Sequence, residues 1–82
     1  MGNYVDSLEF MLYTTCLEIL NCKDSDISYS KGILVGEKMG YMTALQMRLS
    51  KNEYNRTINS IISMLSDSTD LPKINIYSKL FR

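Results

Sequence analysis

Apolar residues recur at helical spacing almost from the start of the chain, where Val5, Leu8, Leu12, Cys16 and Leu20 share one side of a helix over about residues 4–21. Phe10, Tyr13 and Leu17 widen that side to an arc of roughly 200°, opposite a polar stripe of Ser7, Thr14, Glu18 and Asn21. A helix so broadly apolar has to be covered on two sides. Asn3 is its expected N-cap, and Asp6 suits the positive end of the helix dipole.

After a polar connector, Asn21 to Asp26, a second helix is predicted over 27–49, capped by Asp26 or Ser28. Ile27, Leu34, Tyr41, Met42, Leu45 and Leu49 make one apolar face of it, which predicts a central position in the fold. On the other side Gly32, Gly36 and Gly40 stand at four-residue spacing, flanked by Tyr29, Ile33, Met39, Thr43, Ala44 and Met47. Each glycine inside a helix costs about 1 kcal/mol relative to alanine, so the stripe calls for a compensating contact. Close backbone approach supplies one, within the chain, between two copies, or to a ligand. Lys31, Glu37, Lys38 and Arg48 interrupt the segment and make it unsuitable as a membrane helix of the Gly-xxx-Gly kind.

Ser50-Lys51-Asn52-Glu53 is a capping box and opens a third helix, predicted over 51–66. Tyr54, Ile58, Ile61, Ile62 and Leu65 form its inner face, with Arg56, Asn59 and Ser63 outside. Ser66 to Asp70 reads as turn chemistry. The segment 71–82 is ambiguous: Lys73-Ile74-Asn75-Ile76-Tyr77 alternates like a strand, while Ile74, Tyr77 and Phe81 also fit a helix face. It carries too many apolar groups for a solvated tail and is expected to be an ordered arm, strand, helix or extended. The fold class that follows is all-α: a single domain, 1–82, built as a small three-helix or four-helix bundle with a glycine-striped central helix and an ordered C-terminal arm.

Composition removes whole classes of chemistry. No histidine is present, so the usual neutral-pH base, the usual zinc ligand and the histidine-activated nucleophiles are missing. Neither a phosphate loop nor a calcium loop can be assembled, and Asp24 and Asp26 read as caps. No catalytic residue, metal site, cofactor or small-molecule substrate is expected. Nine basic residues balance nine acidic ones. Lys23, Lys31, Lys38, Arg48, Lys51 and Arg56 are spread over different faces, as solvated surface, which argues against nucleic-acid binding. Cys16 and Cys22 point about 120° apart on one helix and cannot bond to each other there. They read as reduced thiols of a cytoplasmic protein, and no run is long enough to span a membrane.

In 82 residues there are six methionines and six tyrosines, types that adapt well to protein surfaces, although core filling is the commoner role of such methionines. Phe10, Tyr13, Leu17, Tyr77, Leu80 and Phe81 are the candidate partner surface, and the glycine-flanked stripe is the candidate helix-packing or dimer seam. The pattern Tyr29-xx-Gly32-xxx-Gly36-xxx-Gly40-Tyr41-xx-Ala44-Leu45 resembles small uncharacterised helical proteins of AT-rich bacterial, plasmid and phage genomes. The resemblance covers mainly one helix and implies an accessory protein that acts by binding others. The expected function is therefore a non-catalytic, homodimeric interaction module, an accessory or inhibitor of a larger bacterial protein. The alternatives are a small DNA-associated regulator of transcription or replication, and an immunity or antitoxin protein.

Overall fold

Four helices make up the described chain, residues 3–22 and 28–82 of a computed structural model: α1 (Asn3–Asn21), α2 (Ser28–Arg48), α3 (Lys51–Thr69) and α4 (Lys73–Leu80). The fold is all-helical, and no strand occurs among the described residues. The connector residues 23–27, with the Asp26 cap and Ile27, lie outside the described residues, as do the side chains of Ser28 and Tyr29. α1 begins at Asn3 itself, one residue earlier than an Asn3 cap requires.

The broad apolar arc of α1 does what its width predicts. Leu8, Leu12, Cys16 and Ile19 are buried, and α1 is the element that both α2 and α3 pack against. α2 touches α3 only slightly, and α4 packs on α3. The central helix is therefore α1, a correction to the expectation for α2. α2 docks on α1 by one side alone, through buried Leu45 and half-buried Leu34, Tyr41, Met42 and Leu49. The Arg48 guanidinium lies 4.4 Å from the centre of the Tyr4 ring, which places the end of α2 beside the start of α1 in an antiparallel pair.

The capping box at α3 is formed in full: the Glu53 amide donates to Ser50 Oγ at 3.2 Å, and the Ser50 amide donates to Glu53 Oε1 at 3.1 Å. Accepting the Ser50 amide, and then the serine hydroxyl side of the same box, holds the Glu53 carboxyl below its ordinary value of 4.5. A depressed carboxyl stabilises the fold above its unfolded-state value, and that contribution is lost as pH falls through the lower folded-state value. Melting curves between pH 7 and pH 3 should therefore show wild type losing stability below about pH 4.5 more steeply than Glu53→Gln. Parallel curves would show that the carboxylate is not engaged. Ser50→Ala, which removes the acceptor itself, should cost about 1 kcal/mol in urea unfolding.

α3 continues past the expected stop to Thr69. Ser66 to Thr69 form the last turn instead of a loop, and the hydroxyls at its two ends are satisfied locally: Thr69 Oγ1 donates to the Leu65 carbonyl and Ser66 Oγ to the Leu71 carbonyl, both at 2.6 Å. Asp70 then ends the helix in the left-handed region, φ 61°, with its amide on the Ser66 carbonyl. Extended Pro72 opens α4, whose inner residues Ile76 and Leu80 are buried against the core. The C-terminal arm is a helix, and it completes the core.

Candidate functional site

The stripe of small residues on α2 faces away from α1. At 100° per residue, Leu34, Lys38, Tyr41 and Leu45 lie on the docked side, and Gly32, Gly36, Gly40, Thr43 and Met47 lie roughly opposite. A Cβ built on Gly32, Gly36 or Gly40 would meet nothing within 4 Å. Close approach of the glycine backbone within the chain, the first of the three readings of the stripe, is thus overturned among the described residues. The physical reason is that, among the described residues, α2 docks mainly on α1 and needs one face to do so.

The surface around the glycines is apolar and open. Ile33 and Val35 are exposed, Met39 is 55% exposed and Met47 79% exposed. Within roughly 60° of Gly36 on either side stand Gly32, Ile33, Met39, Gly40, Thr43 and Met47, with no charged residue among them. Their spacing alternates in threes and fours through Ile33, Gly36, Gly40, Thr43 and Met47, the heptad-like rhythm that lets one helix lie along another. These residues of the candidate seam share the exposed side of α2. Tyr29 continues the same rhythm in sequence, but its side chain lies outside the described residues.

No protein family, curated protein or solved structure matches the chain. What the surface can do rests on its own chemistry.

The other predicted surface does not assemble. Leu80 is buried in the core because α4 turns it inward, and Leu17 on α1 and Phe81 just after α4 are half-buried against the core. Tyr13 is half-buried, its hydroxyl sharing a 2.6 Å hydrogen bond with that of Ser68 on α3. Only Phe10 and Tyr77 remain exposed, and they sit in different surroundings. Phe10 lines a shallow depression with Asp6, Ser7 and Met11, whereas Tyr77 lines another with Asn59, Ser63 and Ile74.

Lys38, expected among the solvated lysines, is 8% exposed and corrects that expectation. It sits four residues after Leu34 and seven before Leu45, on the docked side of α2, and its Nζ donates to the carbonyl of Leu80 at the end of α4. Periodicity would have found it, since it falls in the middle of the apolar face. Burial pushes the neighbouring Cys16 thiol up to about 12, with the Lys38 charge pulling the other way, so Cys16 is a packing group and not a nucleophile at neutral pH. Both cysteines are free. No described helix is long and apolar enough to cross a membrane.

Proposed function

We propose that the protein acts without catalysis, by contact: two copies pair through the open face of α2, and the homodimer serves as an accessory or inhibitor that holds or blocks a larger bacterial protein. One observation carries this reading, the charge-free stripe on α2 whose glycines face open space beside exposed Ile33, Met39 and Met47. Exposed glycines inside a helix are a cost to the isolated chain, and a second helix lying in the furrow they leave is the contact that offsets it. A twofold arrangement brings the same stripe from both copies together without burying any charge. DNA would instead require lysines or arginines along that face.

Phe10 and Met11 on α1, with Ile74 and Tyr77 on α4, remain exposed apart from the stripe and supply surface for the larger protein. The resemblance of the α2 sequence to small proteins of bacteria, plasmids and phages points to a partner of that origin, and the free thiols suit a cytoplasmic setting.

Light scattering over a concentration series tests the pairing. The expected mass is twice the 9.4 kDa of the chain at high micromolar concentration, falling to the single-chain value on dilution. Met39→Glu, which places a charge in the seam at an exposed position, should keep the helical circular dichroism and remain at the single-chain mass. A wild type that stays at single-chain mass up to high micromolar concentration overturns the pairing.

A further inference from the structure

Three lysines converge on one cleft at the end of the bundle where α1 and α4 both terminate. Lys31 and Lys38 reach it from α2 and Lys79 from the last turn of α4, and it encloses about 250 Å³ between apolar walls that include Leu20, Val35 and Leu80. Lys31, Val35 and Lys38 follow the i, i+4, i+7 spacing of a single helix face, so the two α2 lysines lie on the same side of the helix, two turns apart. No carboxylate lines the cleft among the described residues.

Helix dipoles account for only part of this charge. The C-terminal ends of α1 and α4 each present roughly −0.5 of an elementary charge, about one negative charge together, against three ammonium groups. Among the described residues a surplus of about two positive charges remains in a cleft whose lining mixes ammonium groups with hydrocarbon. Lys38 is the decisive member. Its side chain is 8% exposed, and of the three N–H donors of its ammonium one is spent on the Leu80 carbonyl, which leaves two for a group in the cleft. An ammonium so placed calls for an anion.

We propose that this cleft binds a small polyvalent oxyanion, a phosphate group either free or as the monoester of a small molecule, held by Lys38 from below and by Lys31 and Lys79 at the rim. The volume agrees: at about 30 Å³ per water it holds a phosphate with several waters, and it lies below the range for drug-sized ligands. Lysine recognises phosphate as a point charge and needs no planar match, so three flexible ammonium groups suffice. The site lies on the docked edge of α2, not on the open stripe, and stands or falls independently of the pairing proposed above.

The test is a titration of the full chain with inorganic phosphate, methyl phosphate and pyrophosphate, with chloride balancing ionic strength, read by thermal melting and by calorimetry. Wild type should show a saturable rise in Tm of several degrees at about 10 mM phosphate, matched by methyl phosphate if the monoester dianion is what the site recognises. Lys31→Gln with Lys79→Gln, both exposed and harmless to packing, should weaken the apparent affinity about tenfold. Lys38→Met should abolish the saturable response while leaving the ligand-free Tm unchanged or raised, because it removes a poorly paired buried charge.

Three results overturn the proposal. The first is an equal response in wild type and the lysine variants, the mark of general stabilisation by an excluded salt. In the second, phosphate has no effect and Lys38→Met lowers Tm, which would make Lys38 a cap for the Leu80 carbonyl and nothing more. In the third, phosphate has no effect and Asp24→Asn with Asp26→Asn loses stability, showing that the chain supplies its own counter-charge.

Discussion

Replacing Gly32, Gly36 and Gly40 together by alanine should raise the stability of the single chain by about 2 to 3 kcal/mol, an unusually large gain for three one-carbon changes. Each position lies inside α2, each added Cβ meets open space, and each substitution removes the backbone freedom that glycine keeps in the unfolded chain. At this chain length such a gain corresponds to a rise in Tm of roughly ten degrees or more. Urea unfolding at a concentration where wild type has the single-chain mass is the measurement. A loss of stability there would mean that the glycines face something inside the fold after all.

The same stripe separates stability from association when Gly36 alone is changed to leucine. Leucine is a good helix former and has room in the isolated chain, so the variant should be at least as stable as wild type at low concentration. A branched side chain in the middle of the furrow keeps a second helix away, however, and dimer mass should disappear. Total stabilities of small domains run near 0.05 to 0.15 kcal/mol per residue, or roughly 4 to 12 kcal/mol for a chain of this size. Three exposed glycines therefore cost a large fraction of what holds the chain together. That fraction is the physical argument for reading the stripe as a contact surface.

Much of this architecture is legible in the sequence because local rules decide it. The Ser50 to Glu53 box starts α3 where its spacing says it should, and the three-and-four rhythm of Ile58, Ile61, Ile62 and Leu65 gives the buried face directly. The inner face of α2 is equally plain, from Leu34 through Leu45. Two features are hidden for a shared reason, that residue type and position point in different directions. Lys38 has the composition of a solvated residue although its register places it on the docked side of α2, and Ser66 to Thr69 have the composition of a turn although Thr69 Oγ1 bonds back to the Leu65 carbonyl within the helix. The glycines show a different limit. Their spacing says that something comes close to α2, but which side of α2 the rest of the chain occupies is settled by how many helices are available to cover it. α1, apolar over the wider arc, takes the central place and leaves that side of α2 open. Likewise Leu80 and Phe81 read as an exposed pair until α4 is seen to fold against α3.

The ambiguity of the C-terminal arm becomes a sharp contrast between two isoleucines. On a strand, Ile74 and Ile76 would face the same way and truncation of either would cost the same. In α4 they stand about 200° apart, and their environments differ accordingly: Ile76 is 0% exposed within the core and Ile74 is 72% exposed. Ile76→Ala should cost about 2 to 5 kcal/mol, from the lost transfer energy and the cavity left where α4 meets α3. Ile74→Ala should change stability by less than about 0.5 kcal/mol, as exposed positions do, with a small gain from alanine's helix propensity. Urea midpoints measured for both variants decide it. Equal losses would return the arm to a strand or an extended strap, whereas negligible losses in both would detach it from the core. The predicted inequality makes the last eight-residue helix an integral part of the bundle, because an Ile76 loss of that size approaches half of the stability available to a chain this small.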